Sequence, residues 1–195
     1  MEEQKSHFHR NLLIALIALF VLTLAGFSAL TWAVERNNLS EWEMILNVLI
    51  LSIPLSLIYG AAYVLLRSWH ERSTLGRVSP GLAGIIHWAP RAAALLIILF
   101  TGLFSLDVFE EGLTPLQTLG AFLMHNIPSI AMLVLLAFAW KRPAVGFWAF
   151  LAAALVFVLF FVRSFYALTN LVLFVLPLLL VASLFYADWQ WAGQP

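Results

Sequence analysis

The chain contains no cysteine. That absence removes disulfides, thiolate metal sites and cysteine nucleophiles, although it does not identify a compartment. Charge is almost as scarce. Only 10% of the 195 residues are Asp, Glu, Lys or Arg, whereas a water-soluble domain usually carries about 25%. Ten basic and ten acidic residues cancel, and no Lys/Arg-rich run offers a track for phosphates, so no nucleic-acid partner is expected. Walker A, Rossmann, H-E-x-x-H and G-x-S-x-G patterns are missing, as are paired Asp–Asp or Ser–Lys motifs of intramembrane proteolysis. No catalytic residue, metal site or cofactor is expected.

What remains is apolar. Hydrophobic residues make up 63% of the chain and the mean hydropathy is +0.97. A transmembrane helix needs roughly 20 mainly apolar residues. Six stretches qualify: Leu12–Val34, Met44–Leu66, Arg91–Phe109, Leu116–Trp140, Val145–Val162 and Asn170–Ala187. The first is too long for the ~7–15-residue core of a signal peptide, so it reads as a retained span. The expected fold is all-α: a polytopic membrane protein of six helices in antiparallel hairpins. Three parts are expected: a tail and two-helix hairpin over 1–66, a cytoplasmic connector over 67–89, and a four-helix membrane domain over 90–195. Within the connector, Gly81–Trp88 is apolar enough to lie along the interface and is expected outside any span.

Orientation follows from the basic residues of the loops. Lys5, Arg10, Arg67, Arg72, Arg77, Arg91, Lys141 and Arg142 fall on one side of a six-span topology; only Arg36 and Arg163 fall on the other. Both termini are therefore expected in the cytoplasm, with the chain in the cell membrane. The tryptophans agree, since all eight lie near expected span ends, where aromatic rings favour the interface. Ser40 with Glu43, and Thr114 with Gln117, have the spacing of capping boxes, the second with Pro115 at the first helical position. Pro54 follows the first box by fourteen residues and Pro128 follows the second by the same interval, a shift of 74 residues that hints at an internal repeat.

The fourth span holds the unusual chemistry. His125 lies nine residues after Leu116, or ~13 Å along the helix, near the middle of a ~30 Å hydrocarbon layer. Intramembrane ionisable groups often mark proton or ion paths. The plainer reading is a neutral imidazole hydrogen-bonded within the bundle. Pro128 cannot donate a backbone hydrogen bond, so the Met124 carbonyl loses its partner, and Asn126 stands close enough to help. Asp107 ends the third apolar run and is expected one or two helical turns from the depth of His125. An Asp107–His125 pair across the short loop is the candidate intramembrane polar site, with Asn126 and Pro128 beside it. Glu110 and Glu111 follow in the external loop. Water is the plainest partner for these two; for the carboxylates of Asp107, Glu110 and Glu111 together the ion-pair candidates are Arg36 and Arg163, the two external cations, and the sharper candidate is a divalent cation, which prefers oxygen ligands. His7 and His9 in the tail read as incidental.

Arg91 before an apolar run, Ser105-Leu106-Asp107-Val108-Phe109 at its end, His125 with Ile127-Pro128, then Ala139-Trp140-Lys141 and Gly146 form a recognisable series. Over Trp88–Trp189 the chain resembles a family of small, uncharacterised prokaryotic four-helix membrane proteins. Asn126 departs from that family's usual aliphatic residue after the histidine. The resemblance implies a four-helix bundle with Asp and His as its distinctive polar positions, and it implies no activity.

The expected function is that of a non-enzymatic membrane component acting through helix–helix or lipid contacts, with the bilayer as partner and other membrane proteins or self-association as further ones. The alternative is a small transporter or ion-conducting protein built on Asp107 and His125. A lipid-modifying enzyme would need clustered acids or histidines on the cytoplasmic side, which the linear sequence does not display.

Overall fold

In a computed structural model, residues 2–35, 40–109, 112–164 and 167–192 are described, excluding the side chains of 2–6 and 107. Among the described residues the chain is helical and has no strand. The helices are α1 (Glu2–Glu35), α2 (Glu41–Leu75), α3 (Pro80–Leu103), α4 (Pro115–Ala139), α5 (Pro143–Phe161) and α6 (Ala167–Ala192). All six are long and apolar enough to cross a membrane. A 3₁₀ turn over Phe104–Phe109 follows α3. Helix α6 contains two π-helical turns, Leu171–Val175 and Asp188–Ala192.

The expected boundary chemistry is present. The Ser40 N–H donates to Glu43 Oε2 at 2.7 Å and the Glu43 N–H donates to Ser40 Oγ at 3.3 Å, satisfying two orphan amides at the start of α2. The Thr114 N–H donates to the Gln117 side chain at 3.1 Å. Proline opens α3, α4 and α5, where the missing N–H costs nothing. Gly76 ends α2 with φ 71°, the left-handed conformation that glycine adopts without strain. Pro54 and Pro128 both lie inside their helices, so the two members of the sequence repeat occupy like positions.

The connector is more helical than the sequence suggests. Helix α2 runs on to Leu75, and Gly81–Trp88 forms the opening turns of α3 rather than a segment lying along the interface. The reason is packing. Leu82 and Ile86 are fully buried in a small cluster with Ala187, flanked by Val64, Leu65 and Trp191, so their apolar face meets protein instead of lipid. Pro90 consequently sits within α3.

The main core lies among α3, α4, α5 and α6. Ile97, Phe100, Met132, Leu136, Phe150, Leu178, Val181 and Phe185 are at most 2% exposed. Lipid tails are as apolar as these side chains, so close packing rather than escape from water holds them together. Gly146 makes the tightest approach: a Cβ there would lie 2.6 Å from the Phe185 ring. That ring stacks on Phe150 at 5.6 Å and 19°. Leu57 brings α2 into the same core. Helix α1 packs on α2, where Thr23 Oγ1 and the Tyr59 hydroxyl are 2.6 Å apart, and leaves most of its surface exposed.

Candidate functional site

The densest polar constellation is not at His125. It lies where the middle of α3 meets the ends of α4 and α6. Arg91, one turn after His87 on α3, is 2% exposed. Its guanidinium donates through Nη1 to Asp188 Oδ2 at 2.8 Å and to the His87 carbonyl. Through Nε and Nη2 it donates to the Trp140 carbonyl at 3.1 and 2.8 Å. The Phe185 ring lies beneath it, 5.9 Å from Cζ. Asp188 is 4% exposed, and its second oxygen accepts from His87 Nδ1–H at 3.3 Å.

Each contact has a physical cause. A guanidinium presents five donors in a planar fork, so one arginine can serve several acceptors at once. Trp140 caps the C-terminus of α4, where carbonyls lack helical partners and the helix dipole favours a cation. Asp188 opens the second π turn of α6, a local widening that often accompanies functional positions. Buried charge is tolerated only when paired and hydrogen-bonded, and both Asp188 oxygens are engaged. The cluster therefore ties α3, the end of α4 and the end of α6 into one clamp.

A second polar cluster lies at the same end. Glu71 on α2 is fully buried and accepts from the Ser79 N–H at 2.9 Å. Arg67 Nε approaches it at 3.4 Å and His9 Nε2 at 3.5 Å. Phe8 stacks on His70 at 3.7 Å. These contacts fix the start of α1 and the turn between α2 and α3 to the end of α2.

The sequence-derived candidates are dispersed. His125 is exposed on the outer surface of α4, and its Nδ1–H donates to the Ala121 carbonyl at 2.9 Å. Asn126 donates to the Phe122 carbonyl at 2.9 Å, so its amide bonds one turn back on its own helix and not to the Met124 carbonyl. Pro128 is half-buried beside them. Asp107 lies in the 3₁₀ turn, with its side chain outside the described residues. Arg36, Glu110 and Glu111 also lie outside the described residues, and Arg163 is exposed. Among the described residues no cluster of three or more His, Cys, Asp or Glu has the geometry for a metal ion.

Sequence reasoning missed the Arg91–Asp188 pair. The two residues are 97 positions apart, and Asp188 is not among the residues that the sequence marks by motif. Two signals pointed to it: Arg91 stands at the head of a span, and Asp188 is the one acid in 164–195. The His87–Asp188 contact also gathers an acid and a histidine at this end, which the linear sequence keeps 101 residues apart. Asp188 is closed off by Arg91 and His87, an arrangement suited to holding helices together.

No curated protein and no solved structure matches the chain. Residues 79–194 match a domain of unknown function, DUF7670. That match runs from the turn before α3 to the end of α6, so it takes in Arg91, Trp140 and Asp188 together with His125 and the core of α3–α6. By this match over more than half its length, the chain belongs to the DUF7670 family.

Proposed function

We propose that the protein is a non-enzymatic, multi-pass component of the cell membrane, with both termini in the cytoplasm, acting through helix–helix and lipid contacts. One observation carries this reading. Between the Arg91–Asp188 clamp at one end and His125 at mid-helix, the interior is filled by Ala94, Ile97, Ile98, Met132, Leu136 and Phe150, all buried and apolar. A transport path needs polar groups through the hydrocarbon layer; these six side chains offer none, and the buried hydroxyls nearest them, Thr101 and Ser129, lie on the His125 side and do not extend to the clamp. The basic residues at the clamp end support a cytoplasmic placement. The long exposed surface of α1 supports contact with lipid or another membrane protein.

The transport alternative is tested directly. The purified protein is reconstituted into liposomes containing a pH-sensitive dye, and a proton gradient and membrane potential are imposed. Leak no faster than that of protein-free liposomes, and unchanged in His125→Leu, is expected. Flux above that baseline that disappears in His125→Leu overturns the proposal.

A further inference from the structure

His125 presents a physical problem that the bundle itself leaves open. With α4 (Pro115–Ala139) spanning the bilayer, the ring stands ten residues from the helix start, about 15 Å, and so near the middle of a ~30 Å hydrocarbon layer. Its Nδ1 is 2.9 Å from the Ala121 carbonyl. A carbonyl only accepts, so Nδ1 must carry the proton. In the neutral ring, the form that hydrocarbon admits without a counter-ion, Nε2 is then a bare acceptor. Among the described residues nothing donates to it. An acceptor left without a donor in an apolar medium carries its full desolvation penalty.

The ring also lines a groove. Between α4 and α5 lies a cleft of ≈ 720 Å³, within the roughly 300–1,000 Å³ span of ligand pockets. Its volume has a sequence cause: Ala149, Ala152 and Ala153 offer α4 only methyl groups. Its walls are mostly apolar, with Pro128, Phe157 and Phe174 among them; the two other polar residues that line it are engaged elsewhere, Thr101 Oγ1 donating to the Ile97 carbonyl and Asn170 Nδ2 to Ser164 Oγ.

On the membrane-bundle reading, we infer that this groove binds a membrane-soluble alcohol or phenol whose hydroxyl donates to His125 Nε2. Depth selects the chemistry. A phospholipid headgroup stays at the interface, too far away to reach the ring, and an acyl chain has no donor. The occupant must carry its hydroxyl into the hydrocarbon layer on an otherwise apolar body. The fixed Nδ1–H then sets a polarity rule: a hydroxyl donor is bound more tightly than a carbonyl of the same size and shape.

A decyl-substituted hydroquinone and the corresponding quinone are a matched pair for this rule. Binding of tritiated decylhydroquinone, kept reduced, is measured on the full chain in phosphatidylcholine nanodiscs and competed with each unlabelled form. The wild-type protein is expected to favour the hydroquinone by on the order of tenfold, the loss of one buried hydrogen bond. This comparison needs no variant, so misfolding cannot imitate it. In His125→Phe the preference disappears, and Ala153→Phe, which fills the cleft, blocks both forms. No saturable binding, equal affinity for the two forms, or an unchanged preference in His125→Phe overturns the inference. So does a second copy of the chain in the groove, seen as Ala152→Cys self-crosslinking that excludes the probe. Any of these failures leaves the membrane-component reading standing, because that reading is tested by ion flux and not by occupancy of the groove.

Discussion

Replacing either partner of the Arg91–Asp188 pair should unfasten the bundle, and replacing both should largely restore it. In Asp188→Leu the guanidinium keeps the Trp140 and His87 carbonyls as acceptors but loses its counter-charge at 2% exposure. In Arg91→Leu the carboxylate keeps only His87, and the Trp140 carbonyl loses both of its arginine donors. Leaving one buried charge unpaired costs about 3–5 kcal/mol. For a chain of this length that corresponds to a fall in melting temperature of roughly 6–20 °C. The double variant removes both charges, and apolar replacement of a buried pair is often close to neutral. Each form is heated in detergent and its monodisperse fraction followed by size exclusion. The double variant should lie well above the sum of the two single losses, with a coupling of at least ~2 kcal/mol. Strictly additive losses, or single variants as stable as wild type, would refute the clamp.

Two further changes probe packing and capping. Gly146→Ala drives a methyl into the Phe185 ring, 2.6 Å away, and should cost about 1–3 kcal/mol; Gly102→Ala, whose nearest neighbour would be 3.6 Å away, should be tolerated in the same thermal assay. Ser40→Ala removes the acceptor for the Glu43 amide and should cost about 1 kcal/mol, seen as faster amide exchange in the first turn of α2.

The helices were legible because the bilayer imposes a length and a composition on each span. The capping boxes at Ser40 and Thr114 and the Pro115 start were readable for the same local reason: their partners lie three residues away or nowhere at all. Gly81–Trp88 was misjudged because an apolar segment next to a proline reads the same whether it meets lipid or protein; burial of Leu82 and Ile86 decides that, and it depends on α6. The site was harder. His125 stood out as a polar residue in an apolar run, yet its ring turns outward and bonds to its own helix. Arg91 stood out as a loop cation, and Asp188 carried no motif at all. Only the packing of α3 against α6 brings them to 2.8 Å. A one-dimensional reading finds anomalies of composition; it has no access to a pairing 97 residues apart.

The central claim is that a dry, packed layer separates the clamp from the middle of the bundle. With no native cysteine in the chain, single cysteines report accessibility without background. Ala94→Cys and Leu136→Cys place thiols at positions 0% and 2% exposed in that layer. Reconstituted protein is treated from both sides with a membrane-impermeant, charged methanethiosulfonate reagent, which needs water to reach a thiolate. The account predicts no labelling at either position within the time that fully labels Ser73→Cys, an exposed control on α2. Labelling at Ala94→Cys or Leu136→Cys at a rate comparable to that control would mean a water path through the core and would contradict it.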